Sequence, residues 1–410
     1  MTRVAVLGGS AVSTPQLASA LVDSGCTDVE LALIGRSAEK LALVASACSR
    51  ASGERLRIST HTSPEEGVPG ADVILCQIRV GGLEGRSFDE QYARDLGIPG
   101  EETVGPGGFA LAWRTLPVMR HLLERCSRLA PDALLLNLTN PASMVHQLAD
   151  RYLRTLTLCD APVVLAQRAA ALVEADPGAV APRYVGLNHC GWITALEVDG
   201  RDLLDAVLEH RAELAELTKI DADVLAWMEA IPNPYLRYLY HADRELSLQA
   251  GRAHVRADEL AELESQALAD YARPDADLAA VARRRPAPWY SECVVQLIRA
   301  LRGQQVRTIV NVTNGQLVPY LPAEAAIEVA ADINKRETTP LPPDPIPPDA
   351  RAVLESVAAS NVLATEAILS GDRDRCVRAL TSHPLVGSVA VARELVVRVE
   401  RRFGPLERAA

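Results

Sequence analysis

The chain reads as an α/β protein, with a doubly wound parallel sheet first and a mostly helical α+β lobe after it. Three observations predict this. Short β-rich runs alternate with helix-patterned stretches through the first third of the sequence. The earliest run, Val4-Ala5-Val6-Leu7, ends in Gly8-Gly9-Ser10, and Thr14-Pro15 then opens an amphipathic helix to about Asp23. The later two thirds are dominated by Leu and Ala at helical spacing. At 410 residues there is room for two lobes, and we place the division at residues 1–160 and 161–410.

Strand, glycine turn and helix N-terminus together form an anion site of the Rossmann kind, where backbone N–H groups meet a pyrophosphate. Gly8, Gly9 and Ser10 are the residues expected at that contact. The match to G-x-G-x-x-G is incomplete, and an ordinary βα turn is the bland alternative. The next strand, Leu31–Ile34, ends in Gly35-Arg36-Ser37, where an acidic residue for the ribose hydroxyls is expected and absent. Arg36 suits a 2′-phosphate, which sets NADP beside NAD, or it is a solvated arginine. Further strands are expected at Ala71–Gln77 and Ala133–Leu138, with a helix from about Leu111 to Arg128 between them. The loops after those strands bring Arg86, Asn137 and Asn140 forward as contacts for a polyhydroxylated or anionic ligand. An isolated Asn-Pro, as at Asn140-Pro141, is also a common turn former.

Cys159 and His189 stand far apart in sequence, too far for a zinc knuckle or a single helix. A thiolate and an imidazole suit a divalent transition metal, and two protein ligands leave positions open for substrate oxygens. The structural alternative is a small buried thiol and a satisfied core histidine. Composition narrows the field. A net charge of −11 argues against nucleic acid, so an anionic substrate needs a local arginine cluster. The eight cysteines show no small-scaffold spacing and are expected as free thiols. No uninterrupted apolar run reaches membrane-span length and no leader precedes the first strand, so we expect a cytoplasmic protein with no membrane partner. Downstream, helices are expected at Leu203–Ile220, Ala222–Ala230, Ala257–Tyr271, Pro288–Leu301, Ala350–Ser370 and Asp372–Arg401. Residues 340–348, rich in proline, read as a stiff exposed connector, and Glu400–Arg408 as a solvated tail.

In order along the chain these features resemble glycoside hydrolase family 4, the NAD-dependent glycosidases, and most of all its 6-phospho-β-glucosidases. The resemblance rests on Gly-Gly-Ser with Thr14-Pro15, Ile78-Arg79-Val80-Gly81-Gly82 with Arg86, and the stretch Gly100-Glu101-Glu102-Thr103-Val104-Gly105-Pro106-Gly107-Gly108-Phe109. It continues through Asn137-Leu138-Thr139-Asn140-Pro141, the Cys159 and His189 motifs, Asn233-Pro234-Tyr235-Leu236-Arg237-Tyr238, Ile309-Val310-Asn311 and Ser382-His383-Pro384-Leu385. Ordinary glycosidase chemistry, in which two carboxylates flank the scissile bond, does not apply to this group. The resemblance implies a different cycle: NAD⁺ takes hydride from sugar C3, a tyrosinate removes the acidified C2 proton, and the aglycone leaves by elimination. Water then adds to C1 and the retained NADH reduces C3.

Carried over residue by residue, Cys159 and His189 are the implied ligands of Mn²⁺ or another divalent metal, and Tyr235 the base. A tyrosine with an ordinary pKa near 10 needs a neighbouring cation to serve as a base at neutral pH. Arg86 is the first choice for the sugar phosphate and Arg114 the second, with Asn137, Asn140 and Asn188 as further substrate contacts. Asp160 stands where β-acting members usually show asparagine, so it is a candidate acid and leaves the α anomer open. Glu101 replaces a usual glutamine, and Arg284-Arg285-Pro286-Ala287-Pro288 replaces a glycine-rich turn. A homodimer or homotetramer is implied. The competing functions are an α-acting or non-phosphorylated, glycuronide-type glycosidase, a plain NAD(P)-dependent dehydrogenase, and a catalytically silent sensor.

Overall fold

The computed structural model describes residues 1–406, so the last residues of the expected solvated tail lie outside the described residues. Thirteen strands form one sheet: β1 (Thr2–Leu7), β2 (Val29–Ile34), β3 (Arg57–His61), β4 (Val73–Cys76), β5 (Leu134–Asn137), β6 (Thr155–Thr157), β7 (Ala181–Leu187), β8 (Cys190–Val198), β9 (Arg201–Asp202), β10 (Ile231–Pro232), β11 (Val306–Thr313), β12 (Ala326–Ile333) and β13 (Thr338–Pro340). The first half runs β3-β2-β1-β4-β5-β6, all parallel, which is the doubly wound order of dinucleotide-binding folds. Alternation along these strands explains why they are buried on both faces. Val4 and Val6 of β1, with Leu31, Leu33, Val73 and Leu75, point into one core. Ala5, Leu7, Ile34, Ile74 and Cys76 point into a second core on the opposite face.

At β6 the pairing changes. Thr157 meets Asn311 of β11 in an antiparallel bridge, and β12, β7, β8 and β10 continue antiparallel beyond it. The seam lies close to residue 160 in sequence, and the sheet itself runs straight through it. The strands of the second half were not among the expected elements. Their β-branched runs, such as Ile309-Val310-Asn311-Val312, are short enough to be outweighed by the helical spacing around them.

Helical expectations hold in the long elements and fail at boundaries. Gly105–Leu129 is one helix of 25 residues. Leu203–Ile220 is two helices, Leu204–Leu208 and Arg211–Thr218, and Ala222–Ala230 is helical only to Leu225 before β10 begins. Pro288–Leu301 opens with a wider turn at Tyr290–Val294 before the α-helix Val295–Leu301. Asp372–Arg401 breaks at His383-Pro384 into Arg373–Ser382 and Val389–Phe403, since proline cannot continue the first helix. The proline-rich connector is docked rather than free, because Asp344 binds Arg183 at 2.6 Å and Thr194 at 3.0 Å.

Helix Pro348–Ser370 has 23 residues, and an 18-residue stretch of it has a mean hydropathy of 1.4, long and apolar enough for a membrane span although no single uninterrupted apolar run is. It packs on Gly105–Leu129, Ala142–Ala149 and Arg373–Ser382, as a core helix does. With Val389–Phe403 it covers the second face of the parallel half, so the chain's end returns to the lobe in which the chain began.

Candidate active site

The glycine turn sits at the C-terminal edge of β1. A Cβ on Gly8, whose φ is +85°, would come within 2.9 Å of the Gln77 carbonyl oxygen, and one on Gly9 within 2.8 Å of the Leu33 backbone. Only glycine lets the turn approach its neighbouring strands this closely. The amides of Gly8 and Gly9, expected to face an anion, both donate to the Ile34 carbonyl at 3.0 and 2.9 Å. Among the described residues, the amides of Ser10, Val12 and Ser13 have no backbone or side-chain acceptor, so these are the donors open to a pyrophosphate at the start of helix Thr14–Asp23. Arg36 is exposed at the end of β2, beside Gly35, which abuts Ser10. Tyr290 from the second half hydrogen-bonds Ser13 at 3.1 Å and Gln77 at 2.7 Å, placing a phenol at the rim of this cleft. Neither Gln77 nor Tyr290 stands out in the sequence.

The reactive pocket is assembled from four distant segments. His189 lies in the two-residue turn between β7 and β8, at φ +64°. Its ring stacks on Tyr235 with centroids 3.6 Å apart and planes 4° from parallel. Tyr235 is held by Asn233, whose side chain accepts from the Tyr235 amide at 3.1 Å and donates to Tyr184 at 3.2 Å. On its other side the imidazole Nδ1 meets the Thr103 hydroxyl at 2.8 Å, and that hydroxyl meets Glu101 at 2.7 Å. Gln249 fixes this loop by exchanging two 2.7 Å hydrogen bonds with the backbone of Gly100.

Burial keeps His189 neutral, its pKa pushed down to about 3. Burial, then the charges of Glu101, Cys159 and Glu102, raise Tyr235 well above its ordinary value. Burial also raises Cys159, with Glu328 and Asp160 adding to the effect. Asp160 occupies the N-cap position of helix Ala161–Ala171 without a side-chain capping bond, and burial raises its pKa. The imidazole and phenol are stacked, and the Cys159 thiol lies near enough for its charge to act on the phenol; a soft sulfur and a neutral ring nitrogen are donor types suited to a divalent transition metal. Among the described residues no group of three or more His, Cys, Asp or Glu is disposed to hold a metal.

Glu328 is the largest omission of the sequence reading. It is fully buried, raised to about 7 by desolvation, and accepts one hydrogen bond at 2.8 Å, from the Asn311 side-chain amide, while its Oε2 has no partner among the described residues. Asn188 lies near enough to lower this carboxylate's pKa, and Glu328 in turn lies near enough to Cys159 to raise the thiol's. Asn137, also fully buried, bonds Thr139 and Thr157 and shapes its own loop. Asn140 is half-buried, accepts from the Ala142 amide at 3.2 Å and precedes a cis proline.

The arginines sort differently from expectation. Residues Gly82–Asp89 form a helix rather than a loop, so Arg86 and Glu90 lie one turn apart and pair at 2.6 Å. Arg86 also pairs with Glu102 at 2.6 Å, and Arg79 binds the same carboxylate. Arg114 is buried against Asp89 at 2.8 and 2.5 Å, with further bonds to the carbonyls of Val80 and Ala110. It lies so close to Gly81 and Gly85 that a Cβ there would touch the guanidinium at 2.7 and 3.0 Å. Its donors are committed to the scaffold. Arg285, half-buried and near enough to Arg79 and Arg86 for their charges to depress its pKa after burial has done so, has no carboxylate partner among the described residues. The signal for it was the basic run Arg284-Arg285, at a point where the chain departs from the family pattern.

Comparison with known proteins identifies the family. The model of the family 4 glycosyl hydrolases matches residues 3–175, and that of the family 4 glycosyl hydrolase C-terminal domain matches residues 184–386. A 6-phospho-beta-glucosidase of Thermotoga maritima is 28% identical over 97% of both chains. A maltose-6'-phosphate glucosidase of Bacillus subtilis is 27% identical over 98% of this chain and 96% of its own. The solved structure of the Thermotoga maritima 6-phospho-beta glucosidase with manganese, NAD+ and glucose-6-phosphate superimposes with a TM-score of 0.89 at 25% identity, covering 99% of this chain and 100% of that one. The chain belongs to family 4 of the glycosyl hydrolases.

Proposed function

We propose that the protein is an NAD- and divalent-metal-dependent glycosidase of 6-phosphoglucosides, acting on the β linkage. The observation that carries this reading is Tyr235 stacked on His189 within reach of the charge of Cys159, which brings the implied base to the implied metal donors. The 6-phospho-beta-glucosidase relative and the NAD+, manganese and glucose-6-phosphate of its solved structure support the same assignment. The amides of Ser10, Val12 and Ser13 would hold the dinucleotide, and Cys159 with His189 the metal. Bound NAD⁺ supplies reversible hydride acceptance at sugar C3, and the metal supplies Lewis acidity at the neighbouring oxygens.

The chain's own residues do the rest. Tyr235 takes the C2 proton, and its raised pKa means that it needs the metal's positive charge beside it to serve as a base. Asp160 donates a proton to the departing aglycone oxygen. Arg285 receives the phosphate, with Arg79 and Arg86 behind it already neutralised by Glu102 and Glu90. A dimer or tetramer and a cytoplasmic location complete the reading, and sedimentation velocity checks the first. A second reading, α specificity, draws on Asp160 itself.

The test is a panel of p-nitrophenyl α- and β-glucosides, with and without 6-phosphate, given NAD⁺ or NADP⁺ and Mn²⁺. We expect the phosphorylated β-glucoside to turn over without net accumulation of reduced cofactor and, in D₂O, to carry deuterium at C2 of the product. Tyr235→Phe should lower turnover by about 10²–10⁴-fold with the fold retained. Steady accumulation of reduced cofactor would identify a dehydrogenase, and hydrolysis of unphosphorylated substrates at equal rate would turn the reading toward glycuronides.

A further inference from the structure

Thr103 has a single hydroxyl proton and two partners that compete for it. Its oxygen lies 2.8 Å from His189 Nδ1 and 2.7 Å from Glu101 Oε2. Glu101 Oε2 already accepts the backbone amides of Thr103 and Val104, so it acts as an acceptor and takes the hydroxyl proton. The Thr103 oxygen must then accept a hydrogen bond from an N–H of the imidazole. His189 consequently carries its hydrogen on Nδ1, and its lone pair is left on Nε2.

We propose that Glu101 and Thr103 form a relay that positions His189, fixing its Nδ1–H tautomer so that a bare Nε2 faces the divalent metal. The inference rests on the metal role assigned above and adds what makes His189 a ligand. The surroundings are built to hold the relay still. Gln249 locks Gly100 next to Glu101, and Tyr235 lies flat on the ring, which prevents it from tilting out of its plane. The same carboxylate accepts the amides just ahead of helix Gly105–Leu129, so the relay is anchored to the longest helix of the protein. A hydrogen-bond partner on the non-ligating nitrogen commonly changes metal affinity by about 10–100-fold when removed.

The experiment compares full-length wild-type protein with Thr103→Val, Thr103→Ser and Glu101→Gln. ¹⁵N NMR of the metal-free proteins reads the His189 tautomer, and an EPR titration reads Mn²⁺ affinity. We expect Nδ1–H in the wild type, a mixture of tautomers in Thr103→Val, and Mn²⁺ binding about 10–100-fold weaker in that variant. Thr103→Ser keeps the hydroxyl and Glu101→Gln keeps an acceptor oxygen, so both should bind within about threefold of wild type. A wild-type Nε2–H tautomer overturns the relay. So does equal Mn²⁺ affinity in wild type and Thr103→Val, which leaves the metal reading standing. Wild-type protein that binds no Mn²⁺ removes the metal reading and the relay together.

Discussion

Two buried histidines in this molecule are bonded through Nδ1 to a threonine hydroxyl, and the atom behind the threonine decides what each can do. His189 meets Thr103 at 2.8 Å, and behind Thr103 stands the acceptor Glu101. His146 meets Thr157 at 3.1 Å, and behind Thr157 stands a donor, the side-chain amide of Asn137 at 3.3 Å. Thr157 therefore has its own proton to give, His146 Nδ1 accepts it, and the imidazole hydrogen is left on Nε2. That nitrogen is buried with no partner among the described residues. One histidine presents a lone pair to a pocket and the other presents an N–H to the core. The residue types and the first contact are the same, and the function differs by one atom farther out.

The largest effects should separate these two sites. His189→Ala should abolish Mn²⁺ binding and lower turnover by more than the ~100-fold that loss of an outer partner costs. His146→Leu should leave turnover intact and cost about 1–3 kcal/mol in a urea melt, because the Thr157 hydroxyl loses its acceptor. Comparable loss of activity in both variants would break the distinction.

The same contrast holds for two arginines. Arg114 is committed to Asp89, so Arg114→Ala strands a buried carboxylate and should destabilise the fold by about 3–5 kcal/mol. Arg285 has no carboxylate partner among the described residues, so Arg285→Ala should barely move the melt while raising KM for the phosphorylated substrate by about 10–100-fold, the worth of one hydrogen bond to a charged group. Steady-state kinetics alongside denaturation distinguishes the two outcomes.

These pairs also show how far the sequence could be read. The parallel half was legible because its signals are local: a strand, its glycine turn and a helix start lie within one short segment, and alternation along β1 to β5 is written residue by residue. Cys159 and His189 were candidates from their side-chain chemistry, and it was family resemblance that tied them to Tyr235 across distant motifs. What escaped notice is what the chain decides non-locally. Nothing near Arg114 in sequence states that Asp89 will consume it, and nothing near Glu328 pairs it with Asn311 and brings its charge to Cys159. Arg86 differs from expectation for a related reason, since a loop was expected where residues Gly82–Asp89 form a helix and bring Glu90 into reach.

Acid should sharpen the comparison of histidines by a smaller amount. Burial depresses His146 from its ordinary 6.5 to about 4, and His383 equally. The unfolded chain binds protons at these positions before the folded chain does, so the fold is unaffected above 6.5 and loses stability as pH falls from there through about 4. Each histidine can contribute up to about 3 kcal/mol to that loss. His146→Leu removes one of them, so its deficit relative to wild type should shrink as pH falls across this window. His383→Asn, which keeps an acceptor for the Leu385 amide, should flatten the same slope independently. A deficit constant from neutral pH to about 4 would show that His146 protonates as freely in the fold as in the unfolded chain.

The smallest expected effect concerns the other end of the cleft, where backbone rather than side chains makes the site. Ser10, Val12 and Ser13 offer amides to either dinucleotide alike, so discrimination between NAD⁺ and NADP⁺ falls to whatever flanks the ribose. Arg36 is exposed beside Gly35, and an exposed cation facing a 2′-phosphate through solvent contributes modestly. We therefore expect NADP⁺ to support activity comparably to NAD⁺, and Arg36→Asp to shift the preference toward NAD⁺ by about fivefold, near 1 kcal/mol, through loss of a phosphate partner and gain of a ribose acceptor. The ratio of cofactor Kd values in the two proteins measures this directly. A strong preference for NAD⁺ that the substitution leaves unchanged would show that Arg36 points into solvent, and that the turn alone, like the core around His146, serves the scaffold without choosing its ligand.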